Sequence, residues 1–242
     1  TGGVGLRCDY DAAFQYAVDM NTTVTRDNLK ESLLIMVPNS TDYGGICQMY
    51  EDGSAIAFCP LSTYGYPLDT RGVIQHEAGG HGFGKLGDEY IYHNEFIDFC
   101  TCTCCGHVME FNWAKSLGWY ENLSLTGKMH EVPWSHLIFD EKYADFVDVF
   151  EGGFMHNRGV FRSEQNSCMN NDIPYYSTIS REAIVRRIMD YAGEEYTFEK
   201  FKANDKVEVD ATTRAASMPY AGYAVRGFQH APRIVKGSPR VK

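Results

Sequence analysis

The sequence predicts an α/β (α+β) domain in which a small mixed sheet is backed by helices, and three observations support this. Two well-separated segments carry apolar residues at helical spacing, short apolar runs bounded by Pro or Gly lie between them, and a glycine-punctuated helical segment follows those runs. A chain of 242 residues buries about 70% of the surface its unfolded form exposes, enough for one large core or one core split by a cleft.

From Asp9 to Asp19, apolar positions 10, 13, 14, 17 and 18 make one face of a helix. Leu33-Leu34-Ile35-Met36-Val37, stopped by Pro38, reads as a buried strand. Ile46 to Tyr50 and Ala55 to Phe58 flank Glu51-Asp52-Gly53 and read as a hairpin. Arg71 to Gly82 reads as a helix capped by Asp69 or Thr70. Its Gly72, Gly79, Gly80 and Gly82 each cost about 1 kcal/mol against Ala in an exposed helix interior. Something other than propensity must therefore hold it, and a bound metal or tight packing would serve.

Ser180, Glu182 and the apolar residues 183, 184, 185, 188 and 189 predict a second strong helix, closed by Gly193. Between these helices the pattern is weak. Tyr90 to Leu125 shows no clear period, and Gly152-Gly153 and Gly159 are expected to break any longer element. From Phe198 onward the sequence is polar and reads as a strand-rich annex or extended tail. The expected organisation is a catalytic domain over 1–195 and a C-terminal extension over 196–242, packed on that domain or leading into a further one.

Composition excludes several function classes. The chain is 44% hydrophobic and 14% aromatic, which is typical of an ordered protein. It has no transmembrane segment, because no stretch has the required length and uniform apolarity. Asp and Glu number 32 against 22 Lys and Arg, giving a formal charge of -10. Phosphate backbones would be repelled over most of such a surface, so no nucleic-acid partner is expected. The chain opens on Thr1, so upstream processing or trimming is expected, and a removed signal peptide fits that expectation.

The eight cysteines are Cys8, Cys47, Cys59, Cys100, Cys102, Cys104, Cys105 and Cys168. An even count permits full pairing, in 105 possible connectivities. Cys47 and Cys59 flank the hairpin, where a disulfide would staple two strands. The cluster from Cys100 to His107 has three readings: a disulfide-crosslinked loop, free thiols, or a second metal site on Cys102 and Cys105. Disulfides would place the chain in an oxidising compartment, secreted, at the cell surface or periplasmic.

The chemistry lies in His76-Glu77-Ala78-Gly79-Gly80-His81, followed by Gly84 and then Asp88-Glu89. In zinc peptidases, histidines four apart on one helix face chelate one ion. Here the second is five residues on. Five residues of α-helix leave the rings about 140° apart, whereas a wider π-type turn reduces the offset to about 50°. The paired glycines ease such a turn. Neutral imidazoles at His76 and His81 would then hold zinc, and Glu77 would serve as general base toward the attacking water.

The segment around these residues resembles the immunoglobulin-A peptidase family of metzincin-like zinc endopeptidases. The matches are His81 through Gly84, Leu86, Asp88, Glu89 and Tyr90, with further ones at Asp42-Tyr43-Gly44-Gly45, Phe150-Glu151-Gly152-Gly153, Arg158-Gly159-Val160-Phe161-Arg162 and Asn166-Ser167-Cys168-Met169. They span roughly residues 40 to 190. The extra residue between His76 and His81 is the departure. A similar spacing occurs in a family of zinc dipeptidyl peptidases.

The resemblance implies a metzincin-like zinc peptidase domain with a small mixed sheet, an active-site helix and an irregular cysteine-containing lower part. It implies a third ligand near Gly87, for which Asp88 is the first choice, with Glu89, Glu151, His107 and His156 as alternatives. It also implies Met169 as the methionine beneath the metal. The segment Tyr43 to Ile46 is a candidate for pairing with substrate backbone, and His156 and Tyr90 are candidate oxyanion donors.

The expected activity is a zinc metalloendopeptidase, Zn being its cofactor, that hydrolyses peptide bonds in extracellular proteins through a zinc-bound water. The partner is then a protein or peptide substrate. Two other readings are an exopeptidase or amidase acting on cell-wall peptides, and an inactive binding module that retains the metal site.

Overall fold

The computed structural model describes residues 8–41, 44–65, 69–97, 107–206 and 232–242, apart from the side chains of Glu31 and His93. It is a mixed α/β fold whose chain divides into two compact units, Thr1–Lys85 with Ala221–Lys242, and Leu86–Tyr220.

The first unit is built on a four-stranded mixed sheet in the order β1-β3-β2-β8. Strands β1 (Leu33–Met36) and β3 (Ala55–Phe58) pair in parallel. Strand β2 (Ile46–Tyr50) runs antiparallel to β3, and β8 (Arg233–Val235) is parallel to β2. The C-terminal region, expected as an annex or tail, thus contributes a strand here. Helix α1 (Tyr10–Met20) starts where Asp9 accepts the Ala12 N–H. It packs Phe14 edge-on against Tyr50 and Tyr10 against Phe58. Phe14, Leu29, Tyr50, Ile56 and Phe58 form the core on that face.

Strand alternation turns Cys47, Met49, Ala55, Ala57 and Cys59 to the opposite face. Four of these five side chains are small, which lets the glycine-rich helix approach closely. That helix begins as α2 (Thr70–Ile74), capped by Asp69, and continues as a π-helix over Gln75–Phe83. A Cβ on Gly82 would sit 2.5 Å from Leu33 Cδ1, so the approach depends on glycine there.

The expected Cys47–Cys59 disulfide is absent. Cys8, Cys47 and Cys59 are free thiols, and Cys168 forms no disulfide. The hairpin register gives the reason. Cys47 faces Ala57, and Ile46 faces Phe58, so Cys59 is a diagonal neighbour of Cys47. Diagonal positions lie about 7–8 Å apart, beyond the about 3.5–4.5 Å Cβ separation that a disulfide needs. The cluster at 100–105 lies outside the described residues.

The second unit has a sheet in the order β4-β7-β5, with β6 also paired to β7. Strand β4 (Ile91–Phe96) is parallel to β7 (Met155–Arg162), while β5 (Leu123–Ser124) and β6 (Phe150–Gly153) are antiparallel to it. Strand β7 runs through Gly159, contrary to the expected break. Gly159 has φ +82°, and a Cβ there would fall 2.7 Å from the Phe96 ring, so glycine lets the ring cover the strand. Helices α3 (His107–Ser116), α4 (Ser135–Ile138), α5 (Cys168–Asn171), α6 (Thr178–Ala192) and α7 (Phe198–Asn204) complete the unit. Trp134, Leu137, Tyr143, Val147, Ile179 and Phe201 lie in one core cluster.

Helix α6 carries Glu182, only 3% exposed, which accepts from His136 (2.8 Å), Tyr196 (2.7 Å) and Arg186 (3.1 Å). Burial pushes its pKa up, but the bonds from His136 and Tyr196 and the charge of Arg186 outweigh it, so the net direction is downward. A folded pKa below the unfolded one adds stability that is present above about pH 4.3 and lost as pH falls through the folded value. Glu182→Gln is therefore expected to cost about 1.5–3 kcal/mol at pH 7. Thermal unfolding of both proteins across pH checks this, since their difference should shrink toward zero in acid.

Candidate metal centre

The five-residue histidine spacing is met by the nine-residue π-helix Gln75–Phe83. With the widened turn, His76 Nε2 and His81 Nε2 come to 3.1 Å and the rings cross at 77°. The chain leaves the π-helix at Lys85, a non-glycine residue with φ +54° whose amide donates to the His81 carbonyl. The chain thus turns at Lys85, while Gly84 keeps a right-handed helical backbone.

A buried His-His-Asp cluster able to coordinate a metal ion results. His76, His81 and Asp88 each offer a ligand atom, and these atoms all lie within 4.8 Å of one another. Their exposures are 3%, 1% and 0%, so water competes little for the donors. Among the described residues they are the one such group of three or more.

The other candidates for third ligand have different engagements. Glu89 accepts from Asn122 and Ser167, and burial pushes its pKa up to about 7 against those bonds. Glu151 accepts the Gly159 amide at 2.9 Å. His107 Nδ1 and His156 Nε2 are 2.9 Å apart and bond to each other. The Tyr90 ring packs on Tyr92. Met169 is fully buried beside Leu86 and Ala183, and its carbonyl accepts the Glu89 amide.

Glu77 is 4% exposed and lies against Gly45, where an added Cβ would come within 2.4 Å of its Cγ. Gly45 thus makes room for this carboxylate. Outer-edge pairing of β2 at Gln48–Tyr50 is already taken by β8, and Tyr43 lies outside the described residues. Burial, and then the Glu77 charge, hold the Cys47 thiol well above its ordinary pKa. Cys59 is raised by the same two causes. Both thiols therefore stay neutral beside the carboxylate.

Comparison with protein families and with curated proteins returns no match to this chain. The functional reading therefore depends on the donor set. Sequence reasoning assigned no role to Asn122 or Ser167, whose bonds to Glu89 join residues 33 and 78 positions apart. No local spacing signals either contact.

No helix among the described residues is long and apolar enough to cross a membrane.

Proposed function

We propose that the chain is a zinc-dependent metalloendopeptidase of metzincin-like type, with His76, His81 and Asp88 as metal ligands and Glu77 as general base. The observation that carries this reading is the convergence of two imidazole nitrogens, 3.1 Å apart, with an Asp88 oxygen in one buried group. Tetrahedral zinc with bonds of about 2.0–2.1 Å separates neighbouring ligand atoms by about 3.3 Å. The donor set therefore fits a three-ligand catalytic site that keeps one position open.

Zinc, when bound, would polarise the scissile carbonyl and acidify a coordinated water. Glu77 adjoins a ligand histidine in sequence, and as general base it accepts a proton from the attacking water and returns it to the leaving amine. Cys47 and Cys59 stay neutral and leave that carboxylate without a competing anion. The immunoglobulin-A peptidase resemblance supports an internal peptide bond as substrate. An extracellular setting belongs to the same proposal and is supported by that resemblance alone, because Cys47, Cys59 and Cys168 form no disulfide.

Metal analysis should find about one zinc per chain, with cleavage of denatured casein or a mixed peptide library. Asp88→Ala is expected to weaken zinc binding and abolish cleavage together. Full zinc occupancy without cleavage of any library peptide would refute the peptidase reading and favour a binding module.

A further inference from the structure

The three-residue segment Gly87-Asp88-Glu89 is gripped by side chains from distant parts of the second unit. Asn122, fully buried, accepts the Gly87 amide at 2.9 Å and donates to the Gly87 carbonyl at 2.8 Å. The same amide group donates to Glu89 Oε1 at 2.9 Å. Ser167, also fully buried, donates to Glu89 Oε2 at 2.5 Å while accepting the Met169 amide at 3.1 Å. The Glu89 amide donates to the Met169 carbonyl, and the Asp88 carbonyl accepts the Phe154 amide, both at 2.8 Å. Gly87 has no room for a side chain, since a Cβ would meet Leu123 Cδ1 at 2.6 Å.

Asp88 stands between two residues whose backbones are pinned. Fixing one residue's backbone costs about 1–2 kcal/mol, and in this segment that cost is met on folding rather than on metal binding. Adjacent carboxylates also compete for one cation. Asn122 and Ser167 occupy one oxygen each of Glu89, which leaves Asp88 as the carboxylate presented to His76 and His81.

We propose that Asn122 and Ser167 are positioning residues that aim Asp88 at the metal. This rests on the metal-centre reading above. Neither touches a reacting atom. Both act through the Gly87–Glu89 segment, so their effect on metal binding should exist only while Asp88 is present.

The test is a double-mutant cycle on the whole chain, with zinc affinity measured by chelator competition and site geometry by the visible absorption of bound cobalt(II). Asn122→Ala and Ser167→Ala are each expected to weaken zinc binding by about 10–100-fold and to alter the cobalt spectrum. In an Asp88→Ala background, the same changes should leave affinity where Asp88→Ala alone puts it. If Asn122→Ala does not fold, Ser167→Ala completes the cycle. Equal weakening with and without Asp88 would overturn the proposal, as it would mark a general structural role. Zinc binding that is lost in Asp88→Ala but unmoved by both positioning variants would overturn the proposal alone. Failure of the unaltered chain to bind zinc would overturn both the proposal and the reading beneath it.

Discussion

Glu77→Gln is expected to leave about one zinc per chain and to lower peptide turnover by about 10²–10⁴-fold. Glutamine has nearly the same shape, so it fills the space that Gly45 leaves open and keeps the neighbouring histidines in place. It does not accept the proton of an attacking water. Zinc content and kcat on one library-derived peptide decide the matter, since equal turnover in the two proteins would remove Glu77 from the role of base.

Gly45→Ala tests the same carboxylate from outside. The added methyl would lie 2.4 Å from Glu77 Cγ and 2.5 Å from Oε1, closer than any real contact, so the Glu77 side chain has to move. Misplacing a reacting group by about 1 Å costs on the order of 10²-fold in rate. Overpacking is expected to cost a further about 1–3 kcal/mol of stability. Zinc content should hold, because neither histidine is touched. Gly65→Ala, with nothing within 4 Å of the added atom, is the control and should match the unaltered chain. Full activity in Gly45→Ala would mean that Glu77 is not used where it now lies.

The elements that were legible in the sequence are those whose signal is local. Asp9 and the stripe behind it mark α1, the run before Pro38 marks β1, and Gly193 closes α6 with φ +68°. The π-helix was readable because two histidines five apart meet on one face only if the turn widens. Elements whose order comes from tertiary contact were not legible. Helix α3 buries Phe111 and Ala114 without a clear stripe. Helix α7 lies where a strand-rich annex or an extended tail was expected. It is started by Thr197 accepting the Lys200 amide and held by Phe201 in the core.

The same distinction holds at the candidate site. His76, Glu77 and His81 announce themselves within six residues, and Asp88 follows shortly after. Asn122, Ser167 and the clearance at Gly45 depend on separations of tens of residues, so no spacing rule reaches them. The expected disulfide failed for a related reason. Two cysteines flanking a hairpin suggest a bridge, but the loop length sets a register that offsets them by two positions.

Strand β8 joins Arg233–Val235 to Gln48–Tyr50, so the sheet beneath the π-helix is assembled from segments more than 180 residues apart. During synthesis, β2 emerges from the ribosome long before its last neighbour exists, and its outer hydrogen-bonding groups wait while the whole second unit is made. Such long-range pairing slows folding and leaves an open strand edge exposed to other chains. Maturation of the histidine-bearing helix is thereby coupled to completion of translation through residue 235, a built-in delay before the metal site stands on a finished sheet.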